Sequence, residues 1–543
     1  MVKKIKIFIV IICLSIISFT LLDRNFFIVI TSPFRKEIQS KVSKLNIPKL
    51  KLVLNDEVCE HFNQLYKDYV LEENHTKEYF EFLKYYKEHN LWKSASLIFE
   101  DKSYAIKIKS HGKTPSNHKE RDFISFSIKL ENNELIRGAN RFNLIIYWRV
   151  KEFDYPVYSS IAKDMGVLYQ KTDLVSVTIN NKPSKLYYFE YRLNKDYLKE
   201  YKPTGLVALK RKDNKSMLFF DDDLDSLSTE IEMELMGEEY NFLKPIEKES
   251  IYNNFSLINE CLAKDDYNLI YHFFDLDYIA KVLALKTISG TNDGFEKCNF
   301  IAPFSLKDSN FYPFVHRDCM IKPINDVDEI EFANEHYKLI RALNRNDSIR
   351  IRKYQILYDY ISKTNLDSLQ LKIDIIQKFH ETLYYSSWIK YHIGLNEKIP
   401  VVNNIKKIKG FIESSNPKLK FKNTKQGFQI ELRPNSYSPI SFSSFKLENL
   451  KAIDQIQLTV FEKNTSLEIF KNSLFKSGND IIELFEQLDF YCGLTDEMSK
   501  ENNIYILDFK IKLNSDILDN KINVDISMKN KISNKEILSV NYN

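Results

Sequence analysis

The chain has 543 residues, of which 44% are hydrophobic and 28% are charged, and this balance excludes a wholly disordered protein. Its 78 Lys and Arg stand against 74 Asp and Glu, and the resulting formal charge of +4 does not support a nucleic-acid-binding function. The length allows roughly two to four domains, with room for a sizeable core.

The first 24 residues carry the clearest targeting signal. Lysines near the start precede an uncharged apolar run from 7 to 22, which approaches the ~17–25 residues that span a bilayer. No small-residue cleavage site follows, because Asp23 and Arg24 come next. We therefore predict an uncleaved signal anchor over 1–24, with the rest of the chain outside the cytoplasm. The alternative is a cleaved signal peptide, which would give a secreted protein.

A polar and basic stem is predicted over 25–45, and the folded part begins with a strand near Ile47. Two later runs alternate apolar and polar residues, from Ser103 to Gly112 and from Asp122 to Leu130. This period of two predicts a half-exposed antiparallel pair of strands. Such a pair is suited to cover a nucleotide, with an inward lysine meeting phosphate.

The next part of the chain predicts one helix and further strands. The run from Pro156 to Leu168 is typical of a helix that ends near Gly166. Residues from Asp173 to Leu193 predict two strands around an Asn180-Asn181-Lys182-Pro183 turn. The acidic stretch from Asp221 to Glu239 predicts a solvated surface insertion, with a metal site as the alternative.

The stretch from Phe274 to Lys322 contains the candidate catalytic and metal-binding residues. Apolar residues at helical spacing predict a helix that reaches Ile288. A Gly-Thr-Asn-Asp-Gly loop follows, and then two predicted short strands, FIAPF (Phe300 to Phe304) and FYPFV (Phe311 to Val315).

Asp293 and Asp318 stand at opposite ends of this predicted hairpin, with Asn299 between them. Phosphoryl transfer needs one carboxylate to orient a hydroxyl and another to hold magnesium, so the layout predicts that chemistry. The residues His316-Arg317-Asp318 match the catalytic-loop tripeptide of protein kinases, but Pro323 occupies the position where that motif requires Asn. The sequence is therefore not that of an ordinary protein kinase.

The chain after Glu329 changes from helical to strand-like spacing. Helices are predicted over Glu329 to Leu343, Arg350 to Lys363 and Leu369 to Ile393. From Pro400 onward, apolar and polar residues alternate with period two in several segments. This pattern predicts an all-β, sandwich-like C-terminal domain over 400–543.

The order of these segments resembles the CotH family, the spore-coat-protein-H-type atypical secreted kinases. The family's opening pattern is similar to IKIKSHGKTPSNH and FISFSIKL, its acidic loop to ISGTNDGFEKCN and its metal-binding turn to FYPFVHRD. The matching positions are Lys109, Gly112, Ser125, Lys129, Arg141-Phe142-Asn143-Leu144, Gly166, Asn180-Asn181, Glu190 and Gly205 to Lys210.

The resemblance implies an α+β fold, with an atypical protein-kinase-like core and a helical second lobe over 46–399, ahead of the C-terminal β domain. It also implies the functional residues: Asp293 as the catalytic Asp, Lys129 and Glu190 at the nucleotide, and Asn299 and Asp318 as magnesium ligands. From sequence alone, Asp293 and Asp318 could equally be turn residues, and Lys129 a solvated edge lysine.

Together these expectations describe an extracytoplasmic kinase that uses ATP and Mg²⁺ (or Mn²⁺) to phosphorylate Ser or Thr of an envelope or coat protein. The anchor would hold it in the cell membrane, and no nucleic-acid partner is expected. The alternative is a catalytically inactive scaffold or surface protein that binds an envelope partner or a glycan. His316, which stands where the family has an acidic residue, favours that alternative.

Overall fold

The structure is a computed structural model. It describes residues 47–71, 88–111, 124–132, 134–146, 154–193, 195–198, 206–207, 209–211, 233–235, 243–264, 269–290, 301–315, 321–324, 338–387, 399–413, 417–424, 427–433, 440–447, 453–462, 467–475, 505–513, 524–533 and 536–542. The predicted anchor and stem, over 1–24 and 25–45, lie outside these ranges.

The predicted location, a single-pass membrane protein with an extracytoplasmic body, is corrected by the structure. A helix that crosses a bilayer needs about 20 mainly apolar residues. Of the helices that the structure describes, none has both the length and the apolar character for this.

The described residues fall into two compact units. One contains those within 1–159, 170–202 and 370–398, and the other those within 160–169, 203–369 and 399–543. The domain boundaries expected from the sequence remain predictions.

The first unit is built on a closed barrel of seven strands. These strands are β1 (Lys49–Val53), β2 (Lys93–Phe99), β3 (Lys102–Ser110), β4 (Phe126–Leu130), β5 (Arg141–Ile146), β6 (Thr172–Ile179) and β7 (Lys185–Tyr191). They are hydrogen-bonded in the order β1-β2-β3-β4-β5-β7-β6, and β1 then pairs in parallel with β6 to close the ring. The other neighbours in the ring are antiparallel.

This closed barrel shows that the predicted fold class, an α+β fold with a kinase-like core and a helical second lobe, is wrong. The physical reason is the pairing of β1 with β6, in which Leu50 lies opposite Val177 and Leu52 opposite Ile179. A strand far away in the sequence thus occupies what would have been an open edge of the sheet. Closure satisfies the backbone groups of both edges.

The barrel interior is apolar because alternate residues of each strand face inward. The aromatic rings of Phe142 and Phe189 stack there, with centroids 4.1 Å apart. Helix α1 (Asp56–Leu71) follows β1, and its Phe62 packs edge-on against Phe126 at 5.4 Å. The buried residues on the inward face include Leu50, Leu52, Leu97, Phe99, Ile106, Ile108, Phe126, Ile128, Phe142, Leu144, Val175, Val177, Tyr187 and Phe189.

The predicted turn between β6 and β7 is confirmed. Asn180 adopts a positive φ of 51°, which Asn tolerates better than most residues. Its side chain accepts a hydrogen bond from the Leu54 N–H at 2.7 Å and donates one to the Leu54 carbonyl at 3.0 Å. The turn residue therefore also fixes the chain just after β1.

Helix α2 (Asp154–Met165) ends near Gly166 as predicted, and Gly166 has a φ of 70°. Helix α5 (Leu276–Ser289) is also as predicted, since Asp275 caps its first turn and Gly290 ends it. The helices after α1 are α2 (Asp154–Met165), α3 (Lys195–Leu198), α4 (Pro245–Ala263), α5 (Leu276–Ser289), α6 (Lys338–Arg345), α7 (Asp347–Lys363), α8 (Leu366–Ser387) and α9 (Val401–Glu413).

Short strands and two antiparallel sheets complete the second unit. The short strands are β8 (Leu206–Val207), β9 (Leu209–Arg211), β10 (Met233–Leu235) and β11 (Phe304–Ser305). The longer ones are β12 (Lys418–Thr424), β13 (Gly427–Arg433), β14 (Ile440–Leu447), β15 (Ile453–Glu462), β16 (Leu467–Phe475), β17 (Tyr505–Leu513), β18 (Val524–Asn530) and β19 (Glu536–Tyr542). One sheet has the order β12-β13-β17-β15-β16, and the other has the order β14-β18-β19.

Candidate functional site

The five residues predicted for a nucleotide site fall into two groups. Lys129 and Glu190 lie on β4 and β7 of the barrel. Asp293, Asn299 and Asp318 lie outside the described residues, so their catalytic and magnesium-binding roles remain predictions.

The hairpin expected between the two acidic residues is only partly strand-like. Ile301 and Phe314 form an isolated bridge, as do Phe304 and Phe311, and β11 covers only two residues. Proline breaks both segments, at Pro303 and at Pro313. Because proline lacks an N–H group, neither segment can form a continuous ladder.

Lys109, Ser127, Asn143 and Glu190 form a row across four adjacent strands. Lys109 pairs with Ser127, Ser127 with Asn143, and Asn143 with Glu190. Residues directly opposite each other in a sheet share a face. Their neighbours along the strands, such as Phe142, face the barrel interior, so this row faces outward.

A chain of hydrogen bonds runs along this row. Ser127 donates its hydroxyl proton to Asn143 Oδ1 at 2.9 Å, and the Asn143 amide donates to Glu190 Oε1 at 2.7 Å. His111 Nδ1 lies 3.0 Å from Ser127 Oγ. Because Ser127 uses its only proton toward Asn143, a hydrogen bond from His111 requires the proton to be on Nδ1. Each donor in the chain then points toward the Glu190 carboxylate.

The hydrogen-bonded chain is buried although it faces away from the barrel interior. Ser127, Asn143 and Glu190 are 5%, 7% and 4% exposed. A buried carboxylate is costly unless it is hydrogen-bonded or close to positive charge. The Asn143 amide provides one such hydrogen bond.

Basic side chains surround the row on the same outward face. Lys107, Lys129 and Arg141 form a second row, in which each is the cross-strand partner of the next. Lys109 places its Nζ 5.0 Å from the centre of the Trp92 ring. The outward face of β3, β4, β5 and β7 therefore carries several basic side chains, of which Lys107 is paired with Glu131 at 3.6 Å.

The pKa of Lys109 is affected both by burial and by a neighbouring positive charge. It is lowered from its ordinary value, first because burial disfavours the charged ammonium and then because Arg192 repels it. A bound anion would offset both effects. The arrangement is chemically suited to hold a phosphate group, since lysine binds phosphate as a point charge.

Magnesium binding cannot be assigned to the described residues alone. Within the described ranges, no group of three or more His, Cys, Asp or Glu side chains lies close enough together to hold a metal ion. Glu190 and Asn143 supply oxygen atoms of the kind that hard cations prefer, but Asn143 already uses its own oxygen to accept from Ser127.

Two members of the hydrogen-bonded chain, Ser127 and His111, were not predicted as site residues, and Asn143 was noted only within a family match. The signal that could have found them is strand alternation. Ser127 is two residues from Lys129 in β4, so both must lie on one face. Ser125, which fitted the family pattern, has a structural contact, since its hydroxyl accepts from the Ile146 N–H at 3.1 Å.

A second polar cluster lies near the start of β6. Arg137 Nη2 donates to Asp173 Oδ2 at 2.8 Å, and the Tyr191 hydroxyl donates to the same oxygen at 2.9 Å. Lys171 Nζ lies 4.6 Å from the centre of the Tyr191 ring. Burial, and then the charge of Asp173, raise the pKa of Tyr191 to about 12. Because its carboxylate is already paired, we interpret this cluster as structural.

No family model matches the chain, and no curated protein is significantly similar to it.

Proposed function

We propose that the protein binds the phosphate groups of ATP on the outward face of β3, β4, β5 and β7, and that it transfers the γ-phosphoryl group to a protein Ser or Thr hydroxyl. The observation that carries this proposal is the buried Ser127–Asn143–Glu190 chain, which lies among basic side chains on one face. The proposal takes its chemistry from the family resemblance and does not depend on a kinase-like fold.

Lys109 and Lys129 supply positive charge for the phosphate oxygens in this scheme. Hydrogen bonds to charged groups contribute about 1.5–3 kcal/mol each, which is enough to make single lysines measurable in binding. On the same face, Asn143 and Ser127 hold the Glu190 carboxylate in place by hydrogen bonds. The hydrogen-bonded chain is thus a rigid support for the phosphate-binding side chains.

The remaining roles are proposed for residues outside the described ranges. Asp293 would orient the acceptor hydroxyl and take up its proton. Asn299 and Asp318 would hold the magnesium ion, which neutralises charge on the transferred phosphoryl group. The oxygen donors of these side chains fit a hard cation.

The binding part of the proposal predicts that Lys129→Ala weakens ATP binding by about tenfold or more, because a charge-assisted contact is lost. Binding is measured by isothermal titration calorimetry on the full chain, with and without Mg²⁺. The matched control is Lys51→Ala, since Lys51 is an exposed lysine on β1, outside the proposed face. Equal affinity in the two variants would contradict the assignment of this face.

If ATP does not bind to the wild-type chain at any magnesium concentration, the phosphotransferase proposal is wrong. The inactive scaffold, which would bind a protein partner or a glycan, would then be the better hypothesis. Thermal stability with and without ATP and Mg²⁺ gives an independent check, because a ligand of the native state raises the melting temperature.

The catalytic part predicts that Asp293→Ala abolishes phosphoryl transfer while ATP still binds. The loss should reach roughly 10²–10⁴-fold, the range for removal of a general base. Transfer is followed with γ-labelled ATP, by autophosphorylation and on a generic acceptor protein. Asn292→Ala, one residue earlier in the sequence, is the matched control. Unchanged autophosphorylation in Asp293→Ala would exclude Asp293 as the catalytic residue.

A further inference from the structure

Strand β12 lies at the edge of its five-stranded sheet. In the described part of the chain, β12 pairs with β13 on one side and with no strand on the other. An edge strand directs the N–H and C=O groups of alternate residues away from the sheet. Such an edge can accept a further extended chain, which then continues the sheet by main-chain hydrogen bonds.

A row of three lysines follows this edge. Lys418, Lys420 and Lys422 occupy alternate positions of β12, so they share one face of the sheet, and all three are exposed. Alternate residues of a strand lie about 6.6 Å apart, so a positive charge recurs at that interval. Within the described ranges, the side chains of these lysines form no ion pair and no hydrogen bond. Their ammonium groups can therefore pair with a partner.

The neighbouring strand does not neutralise the row. Lys418 lies opposite Arg433, so two basic residues are adjacent there. Lys420 lies opposite Glu431, the one acidic residue of β13, and Glu431 Oε1 accepts a hydrogen bond from Arg433 Nη2 at 3.0 Å. The charge of Glu431 is thus already directed to an arginine. The face that β12 and β13 share has an excess of positive charge, which favours an acidic partner.

The other face of β12 is apolar. Leu419 and Phe421 alternate with the lysines, and their cross-strand partners on β13 are Leu432 and Ile430. Both partners are 0% exposed, whereas Leu419 and Phe421 are only half-buried. Part of each apolar side chain at the edge therefore remains accessible. A strand placed beside β12 would cover this surface with every second side chain and would direct the others toward the lysines.

The charges also select the occupant of the edge. A second copy of β12 would place lysines beside lysines on one face, and like charges on paired strands are destabilising. Lysines on edge strands commonly disfavour such self-pairing. A polyanion without a peptide backbone would meet the lysines, but it would use neither the N–H and C=O groups of the edge nor the apolar face. An acidic strand uses all three.

We propose that β12 binds an extended acidic segment of a partner protein, with Glu or Asp at every second position, as an additional strand. Its carboxylates pair with Lys418, Lys420 and Lys422, and its intervening apolar side chains lie beside Leu419 and Phe421. Main-chain hydrogen bonds to the edge hold the segment in an extended conformation. This surface belongs to the second unit and does not depend on ATP binding by the barrel.

The test uses the fluorescein-labelled peptide Glu-Val-Glu-Val-Glu-Val-Glu and fluorescence anisotropy on the full chain. The comparison peptide, Glu-Glu-Val-Val-Glu-Glu-Val, has the same composition and charge without the alternation. We expect the alternating peptide to bind at least about tenfold more tightly, because only it can place its carboxylates on one face. Equal affinities would show a general polyanion-binding surface, and absence of binding would show that the lysines only protect the edge. Either result would overturn the proposal.

A modified backbone tests the strand pairing separately from the charge. The alternating peptide with every internal amide N-methylated keeps its carboxylates but has no N–H donors. We expect its affinity to fall by about tenfold or more, because main-chain hydrogen bonds supply affinity when a strand is added to a sheet. An N-methylated peptide that binds as tightly as the unmodified one would exclude an added strand.

Variants locate the surface. The triple variant Lys418→Glu, Lys420→Glu and Lys422→Glu should lose the acidic peptide and should instead bind Lys-Val-Lys-Val-Lys-Val-Lys, since the charges are reversed. Lys406→Glu, at an exposed lysine of helix α9, is the matched control and should leave the affinity for the acidic peptide unchanged. Affinity for the acidic peptide that survives the triple variant would place the site elsewhere and overturn the assignment. The comparison of peptides on the wild type decides the proposal even if a variant does not fold.

Discussion

Gly290 lies where helix α5 ends and a second backbone segment passes very close. Its φ is 64°, and its N–H donates to the Lys286 carbonyl at 2.9 Å. A Cβ atom at this position would be only 2.5 Å from the Lys322 carbonyl oxygen. The Lys322 N–H in turn donates to the Ser289 carbonyl at 2.8 Å, so the backbone on both sides is fixed. The position has neither the space nor the conformation for a side chain.

We expect Gly290→Ala to destabilise the protein by roughly 2–4 kcal/mol, as the sum of an unfavourable φ and a backbone clash. Gly410 is the matched control. It lies inside helix α9 with nothing within 4 Å of the position of a Cβ atom. Gly410→Ala should therefore stabilise the protein by about 0.5–1 kcal/mol through helix propensity.

The free energy of unfolding from urea denaturation of the full chain distinguishes these two effects. Opposite signs for the two alanine variants are the expected result. If Gly290→Ala is as stable as the wild type, the close approach of Lys322 to the helix end is incorrect.

The sequence identifies some of these individual positions and misses others. Gly290 follows an apolar helical run, and its position there predicts the end of a helix. Asn404 gives no such signal, although it accepts from the Ile324 N–H at 3.0 Å and donates to the Ile288 and Lys322 carbonyls at 2.9 Å each. Its partners are distant in the sequence, so no local pattern indicates that a buried amide joins them.

At the scale of elements, closure of the barrel depends on how β1 meets the β6–β7 hairpin. The parallel pairing of β1 with β6 ends at Leu52 and Ile179. Asn180 extends it, because its side chain makes two hydrogen bonds to Leu54 just after the end of β1. The residue thus links the turn of one hairpin to a strand from another part of the chain.

We expect Asn180→Ala to destabilise the barrel by about 2–3 kcal/mol, from two lost hydrogen bonds and a positive φ that alanine tolerates poorly. Asn180→Gly should cost less, since glycine adopts that φ without strain. Asn181→Ala is the control, because Asn181 is exposed and should change stability by no more than about 0.5 kcal/mol. Chemical denaturation gives the three values.

Equal stability of the Asn180→Ala and Asn181→Ala variants would show that the hydrogen bonds to Leu54 do not hold the barrel closed. A cost for Asn180→Gly as large as that for Asn180→Ala would show that the positive φ contributes nothing.

The strands themselves were predictable, but their closure into a barrel was not. Period-two alternation indicated the segments that became β3 and β4, and the Asn180-Asn181 turn indicated the β6–β7 hairpin. The pairing of Leu50 with Val177 depends on contacts between distant segments, about which alternation contains no information. The kinase-like fold was therefore inferred from correctly predicted strands, but without the pairing of β1 with β6 that closes the sheet.

At the scale of the whole molecule, the candidate site was only partly predictable for a related reason. Lys129 and Glu190 were assigned from family order, and the structure brings both to one face. The hydrogen-bonded chain from Ser127 to Asn143 to Glu190, which lies on the same face as Lys129, depends on the register of three strands. Alternation fixes which face a residue occupies, but it does not fix which residues lie opposite each other.

Alkaline pH tests the packing of both compact units, since each contains tyrosines with raised pKa values. In the barrel unit, burial and then the charge of Asp173 raise the pKa of Tyr191 from 10.0 to about 12. In the other unit, burial, and then the charge of Asp164, raise the pKa of Tyr360 to about 12. Above about pH 10 the unfolded chain releases these phenolic protons while the folded chain retains them. The folded state then binds more protons, so its stability falls as pH rises from about 10 to 12.

We expect Tyr191→Phe to reduce this loss of stability, because phenylalanine has no proton to release. The reduction should be about 1–2 kcal/mol, after allowance for the partial exposure of the cluster to solvent. Near neutral pH the same variant should be about 1 kcal/mol less stable than the wild type, because the hydrogen bond to Asp173 is lost. Tyr252→Phe, at an exposed tyrosine, is the control and should leave the pH dependence unchanged. Urea denaturation at a series of pH values measures the effect, and an identical pH dependence in Tyr191→Phe and the wild type would show that Tyr191 is not buried against Asp173.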